Sequence, residues 1–150
     1  MFHPRNILVP PDFSQDSAAA FHMALNIAST YAARIFLLHV ISNTLQRNLS
    51  DYCHDQSIVD RIMSESIIFS NAKLREAIDK GQKNGDIKII PDVRKGQPYE
   101  EILKEAAERK IDLIVIASHG ETGLKKYFIG SVTEKLIKAA ECPVLLIPSQ

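Results

Sequence analysis

Apolar residues along the chain alternate between short dense runs and longer amphipathic stretches. Five β-rich runs stand out: Asn6–Pro10 (NILVP), Arg34–Val40 (RIFLLHV), Asp86–Val93 (DIKIIPDV), Asp112–Ala117 (DLIVIA) and Pro143–Ile147 (PVLLI). The first, second and fourth are nearly continuous in apolar residues, which suits strands buried on both faces of a parallel sheet.

Helical periodicity fills the gaps between them. Ser14 is placed to cap a helix whose apolar stripe is Ala18, Phe21, Leu25, Ala28 and Ala32. A second helix, within about Asp55 to Asn84, carries Ile58, Ile62, Phe69, Leu74 and Ile78, and "KNGD" at Lys83–Asp86 stops it. A third opens near Pro98 with Glu100 and Glu101, where a helix start favours proline and acids, and its core face is Ile102, Leu103, Ala106 and Ala107. "SVTE" at Ser131–Glu134 has capping-box spacing and predicts a fourth helix through Leu136, Ile137 and Ala140.

The order β-α-β-α-β-α-β-α-β implies right-handed crossovers and an open, doubly wound parallel sheet with helices on both faces. Pro91 cannot donate to a strand ladder, which places the third strand at an edge. The polar stretch Ser42–His54 reads as a long mobile loop. No repeat, low-complexity segment or linker interrupts the pattern, and 150 residues suit one domain spanning 1–150.

Charge removes one class of function. Lys+Arg and Asp+Glu both total 18, so the net charge is zero and no basic stripe recommends nucleic acid as a partner. No apolar run approaches the roughly 18 residues of a membrane span. "MFHPRNILVPPDFS" lacks the pattern of a secretory signal, and Cys53 and Cys142 do not make a disulfide framework. A soluble, cytoplasmic protein is expected.

Ligands of open α/β sheets bind beyond the carboxyl ends of the strands, where the strand order reverses. Two loops occupy that end: Pro10–Ser14 (PPDFS) and Ala117–Ser131 (ASHGETGLKKYFIGS). In the second, Gly120 and Gly130 permit close backbone approach to a phosphate, and Lys125 and Lys126 add positive charge. Ser131 and the amides of Val132 and Thr133 lie at a predicted helix N-terminus, which attracts anions. The same residues also fit a glycine-bearing connection with an ordinary N-cap.

Single residues carry double readings. Asp12 suits a ribose or an adenine amino group, or else caps the first helix with Ser14. Val40 ends the second strand where its backbone can meet a purine, or is simply core. His119 is either a phosphate contact or a solvated loop histidine, the second being preferred on the residues alone. His39 reads as a hydrogen-bonded core residue. The P-loop, the dinucleotide GxGxxG and the GxSxG elbow are absent, and no histidine falls at metal spacing from a cysteine.

Four segments together resemble the universal stress protein family from about Asn6 to Ile147. They are "ILVPPDFSQDS", "LLHV", "GQPYEEI" at Gly96–Ile102 and "DLIVIASHGETGLKKYFIGSVTEKLIKAAECPVLLIP". The resemblance implies a Rossmann-like fold of the adenine nucleotide alpha hydrolase type, with strand order 3-2-1-4-5. The family's ATP-binding branch has Gly-x-x-Gly, nine residues, then Gly-Ser or Gly-Thr. Here Gly120, the nine residues Glu121 to Ile129 and Gly130-Ser131 match, and Ala117 stands in place of the first glycine.

The resemblance assigns Asp12 and Val40 to the adenosine side of a bound ATP. Ala117 and Gly120 go to the ribose–phosphate side, and Gly130, Ser131 and Val132 to the phosphates; Pro10 and His119 are counted with them as candidate nucleotide-binding residues. It implies Mg²⁺ or Mn²⁺ held mainly by phosphate and water. It also implies a homodimer through the fifth strand, Pro143 to Ile147. The expected function is a nucleotide-dependent stress sensor or regulator. The alternatives are a slow ATPase or autokinase modifying Ser131, and a scaffold whose nucleotide site is lost. An extra methyl at Ala117 crowds a ribose or α-phosphate only where the backbone must approach closely, and the phosphate half of the motif is intact, so retained binding is expected.

Overall fold

The computed structural model describes residues 1–82, 85–119 and 128–149. The elements run β1 (Asn6–Val9), α1 (Gln15–Tyr31), β2 (Arg34–Ser42), α2 (Asn43–Tyr52), α3 (Gln56–Gly81), β3 (Ile89–Gly96), α4 (Pro98–Glu108), β4 (Leu113–Ala117), α5 (Ser131–Ala139) and β5 (Val144–Ile147). The five strands form one sheet in the order β3-β2-β1-β4-β5, with every pairing parallel. The chain winds outward from β1 to β3, then returns to β4 beside β1. The carboxyl ends of β1 and β4 therefore flank the point where the winding reverses. Pro91 sits in edge strand β3, as its missing N–H requires.

Alternation along the strands builds a core on each face. Ile7, Val9, Ile35, Leu37, Leu113, Val115 and Ala117 join Phe21, Ala24, Leu25 and Ala28 of α1 and Leu74 of α3. Leu8, Phe36, Leu38, Ile114 and Ile116 point the other way, to Ile102 of α4 and Leu136 of α5. Strands buried on both faces need apolar residues at successive positions, which explains their dense sequence texture. At the amino end of β1, the Asp112 carboxylate accepts the N–H groups of Arg5 at 2.7 Å and Asn6 at 2.8 Å, helping to fix β1 against β4.

Several expectations change. Ser42–His54 is largely helix rather than loop: α2 is capped by Ser42, whose hydroxyl accepts the Thr44 N–H at 3.2 Å. Leu49 packs beside Ile41, Val59 and Met63, enough to seat a helix that is otherwise polar. The buried face of α1 runs through Ser17, Ala20, Phe21, Ala24, Leu25 and Ala28, leaving Ala18 and Ala32 exposed. Helix α3 buries Val59, Met63, Ser70 and Leu74, while Ile58 and Phe69 face outward. It ends at Gly81, and Lys83 and Asn84 of the predicted stop lie outside the described residues. In α4, Ala107 is exposed, and Glu105 is buried where Arg94 of β3 reaches its carboxylate.

Candidate functional site

The first wall of the site is the turn after β1. Asp12 Oδ1 accepts the Ser14 N–H at 2.9 Å, and Ser14 Oγ accepts the Ser17 N–H at 3.1 Å. Both capping readings therefore hold, and the turn still presents a carboxylate, which has further acceptor positions. Phe13 takes a left-handed φ of 67°, an uncommon conformation for a residue with a side chain. Its ring packs 4.4 Å from that of His39, centroid to centroid. His39 Nδ1 lies 2.8 Å from the Pro11 carbonyl, which only accepts, so this nitrogen carries the proton. His39 is hydrogen-bonded as expected, but half-buried beside the cleft rather than in the core.

The second wall joins the end of β4 to the start of α5. The Ser118 N–H donates to the Ile147 carbonyl at 2.9 Å, and the Gly130 N–H donates to the Ser118 carbonyl at 2.8 Å. Gly130, not Ser131, is the N-cap of α5, and no side chain caps there. The expected capping box is therefore not formed: Ser131 is the first helical residue and is exposed, and Glu134 pairs with Lys138 at 2.7 Å instead. A glycine cap leaves the first-turn amides without the side-chain acceptor that a serine supplies. Thr133, buried two residues beyond Ser131, donates its hydroxyl to the Ala117 carbonyl at 3.1 Å.

His119 is only 9% exposed, so the solvated-loop reading is corrected. Its Nδ1 lies 2.9 Å from Ser118 Oγ and 2.7 Å from Ser149 Oγ. Ser149 in turn donates to Asp16 Oδ2 at 2.9 Å. The chain leaving β5 and the first turn of α1 thus close over the ring.

These walls enclose a cleft of about 260 Å³. Pro10, Asp12, Val40, Ala117, His119, Gly130, Ser131 and Val132 all line it. Gly120, with Lys125 and Lys126, lies outside the described residues. Leu38, Ile116, Pro98 and Ile102 supply an apolar side that the sequence reading did not assign. Pro98 was within reach of the same topological rule, since α4 starts at the carboxyl end of β3. Ala117 belongs to the core cluster on the α1 face and is 5% exposed, whereas Leu38, Ile102 and Ile116 belong to the opposite cluster. Its methyl is therefore packed with the α1-side core.

Asp12 is the acidic side chain of this lining, and no group of three metal-ligating side chains occurs among the described residues. Among the described residues no helix is long and apolar enough to cross a membrane.

The sequence model of the universal stress protein family matches residues 3–148. The chain belongs to that family. Universal stress protein MJ0531 of Methanocaldococcus jannaschii is 32% identical over 146 residues, covering 95% of this chain and 81% of its own. The solved structure of MJ0577 from the same organism superposes with a TM-score of 0.84 at 27% identity, covering 100% of this chain and 99% of that one. A universal stress protein family member from Arabidopsis thaliana, solved with AMP bound, has a TM-score of 0.62 at 21% identity, with 98% and 93% covered. At that identity the likeness is one of fold. Within this universal stress protein, the cleft occupies the switch point of the sheet.

Proposed function

We propose that this universal stress protein binds an adenine nucleotide, ATP with Mg²⁺ or Mn²⁺, in the cleft between β1, β4 and α5. It would act in the cytoplasm as a nucleotide-dependent sensor or regulator. The observation that carries this reading is the convergence of an apolar side, a carboxylate and a helix start without a side-chain cap on one cleft at the switch point. Leu38, Val40, Pro98, Ile102 and Ile116 offer a purine an apolar surface. Asp12, with Pro10 beside it, offers an acceptor to a ribose hydroxyl or an adenine amino group. Ala117, His119 and Gly120 are assigned to the ribose and phosphates. Gly130 and the first-turn amides of Ser131 and Val132 would receive phosphate oxygens, aided by the helix dipole. AMP in the Arabidopsis relative supports the nucleotide class on this fold.

The cleft fits a metal only as a partner of the phosphates, because Asp12 is the one acidic residue of its lining among the described residues. When bound, such an ion neutralises phosphate charge, and this chain contributes amides and shape around it. Isothermal titration with ATP, ADP and AMP, with native mass spectra of freshly purified protein, tests the reading. Micromolar-range binding supports it. Absence of heat with all three nucleotides, together with nucleotide-free spectra, overturns it in favour of a scaffold with a lost site.

A catalytic reading has one specific observation in its favour. Ser131 is exposed beside the cleft and is not the helix cap. Transfer of a terminal phosphoryl group to its hydroxyl would release ADP, so labelled ATP would leave phosphate on Ser131. An unmodified chain with no phosphate released leaves binding alone. The assembly proposed is a homodimer in which β5 strands from two copies pair along their free edges.

A further inference from the structure

We infer that Asp16 and Ser149 are positioning residues for His119, fixing its ring in one tautomer against the wall of the nucleotide cleft. A carboxylate only accepts, so the Ser149 hydroxyl spends its one proton on Asp16 Oδ2, 2.9 Å away. Toward His119 Nδ1, 2.7 Å away, the same oxygen can then only accept. The proton between them therefore belongs to the histidine, and Nδ1 is the N–H nitrogen. Ser118 Oγ, 2.9 Å from the same nitrogen, holds the ring from the β4 side. In a neutral ring Nε2 is then the acceptor.

The three members come from distant parts of the chain. Asp16 lies in the first turn of α1, His119 just after β4, and Ser149 just beyond β5. Asp16 and Ser149 do not line the cleft, whereas His119 does. Their effect on a ligand must therefore pass through the imidazole. The chain leaving edge strand β5 is thereby tied to the site.

The binding half of this inference rests on the nucleotide reading above; the tautomer half does not. Long-range ¹H–¹⁵N correlation spectra of the labelled full chain report which ring nitrogen of His119 carries the proton. The unmodified protein should show Nδ1–H. Ser149→Ala and Asp16→Ala should each move the ring toward Nε2–H, and Ser149→Thr should restore Nδ1–H. Nε2–H in the unmodified protein, or no response to Ser149→Ala, overturns the inference. Ser149 lies beyond the last strand, so its truncation leaves the sheet intact.

In ATP titrations, Ser149→Ala should weaken binding by about fivefold, the loss expected of one hydrogen bond. It should weaken it no further in a His119→Ala background. Additive losses would show that Ser149 acts independently of His119 and would also overturn the inference. Failure of unmodified protein to bind any nucleotide would sink the functional reading, while the spectra would still decide the positioning role.

Discussion

The Thr133 hydroxyl donates to the Ala117 carbonyl at 3.1 Å, joining the first turn of α5 to the last residue of β4. Both residues are buried, and together they fix how the helix start faces the cleft. Thr133→Val keeps the shape and removes the donor. The expected cost is about 1 kcal/mol of stability. Nucleotide affinity should fall by roughly fivefold as the helix start loses its tie. Urea denaturation and calorimetric titration measure the two effects; an unchanged affinity would show that the tie positions nothing the ligand uses.

Ala117 stands where the ATP-binding pattern has glycine. Its methyl lies in the buried cluster with Phe21, Ala24 and Val115 rather than with the apolar side of the cleft. Ala117→Gly should therefore cost about 1–2 kcal/mol through lost burial and added chain entropy. ATP affinity should change less than about twofold, since a methyl packed in the core leaves the cleft unaltered. A tenfold gain in calorimetry would instead identify the methyl as an obstruction.

Arg94 reaches four carboxylates, those of Asp92, Glu101, Glu105 and Glu108. Glu105 is 1% exposed, so its charge depends on this partner, with Arg109 Nε 3.5 Å away as the second. Arg94→Met should destabilise the fold by about 3 kcal/mol by leaving Glu105 buried with Arg109 alone. Adding Glu105→Leu should recover most of that loss, because it removes the stranded charge. A double-mutant cycle in urea checks both statements, and equal losses in the single and double variants would contradict the account.

Acid should weaken the protein through its helix-surface pairs. The hydrogen bond from Arg94 holds Glu108 below its ordinary value, and those from Lys80 and Lys138 do the same for Glu76 and Glu134. A folded-state value below the unfolded one gives stability that is present above the unfolded value and lost as pH falls through the folded one. The melting temperature should therefore drop between about pH 5 and pH 3. Because these carboxylates are exposed, the drop should shrink in high salt and become shallower in Glu108→Gln. A slope unaltered by either change would place the acid sensitivity elsewhere.

The sheet was legible in the sequence because doubly buried strands need nearly continuous apolar runs, and Pro91 marked an edge. Much of the cleft was legible because the loop after β4 carries a motif with fixed spacing. Helix α2 was not, since Leu45 and Leu49 give too narrow a stripe amid polar neighbours, and its seat on Ile41 and Val59 is tertiary. The burial of Glu105 was not legible because nothing local announces Arg94, which lies across the turn between β3 and α4. The Asp16–Ser149–His119 chain joins positions 133 and 30 residues apart, a contact no local pattern encodes.

Strand β5 is the edge at which a second copy would pair. The Pro143 and Ile147 carbonyls accept from Ile114 and Ser118 of the β4 side. Alternation then turns the backbone groups of Val144 and Leu146 toward the free edge. Leu146→Pro removes an outward N–H without touching the bonds to β4, a position where an edge strand tolerates proline. Sedimentation should show a two-subunit mass for the unmodified protein and a single subunit for Leu146→Pro, with the circular dichroism of the sheet retained. A variant that remains dimeric would move the interface away from β5, and an unmodified protein that sediments as one subunit would remove it altogether.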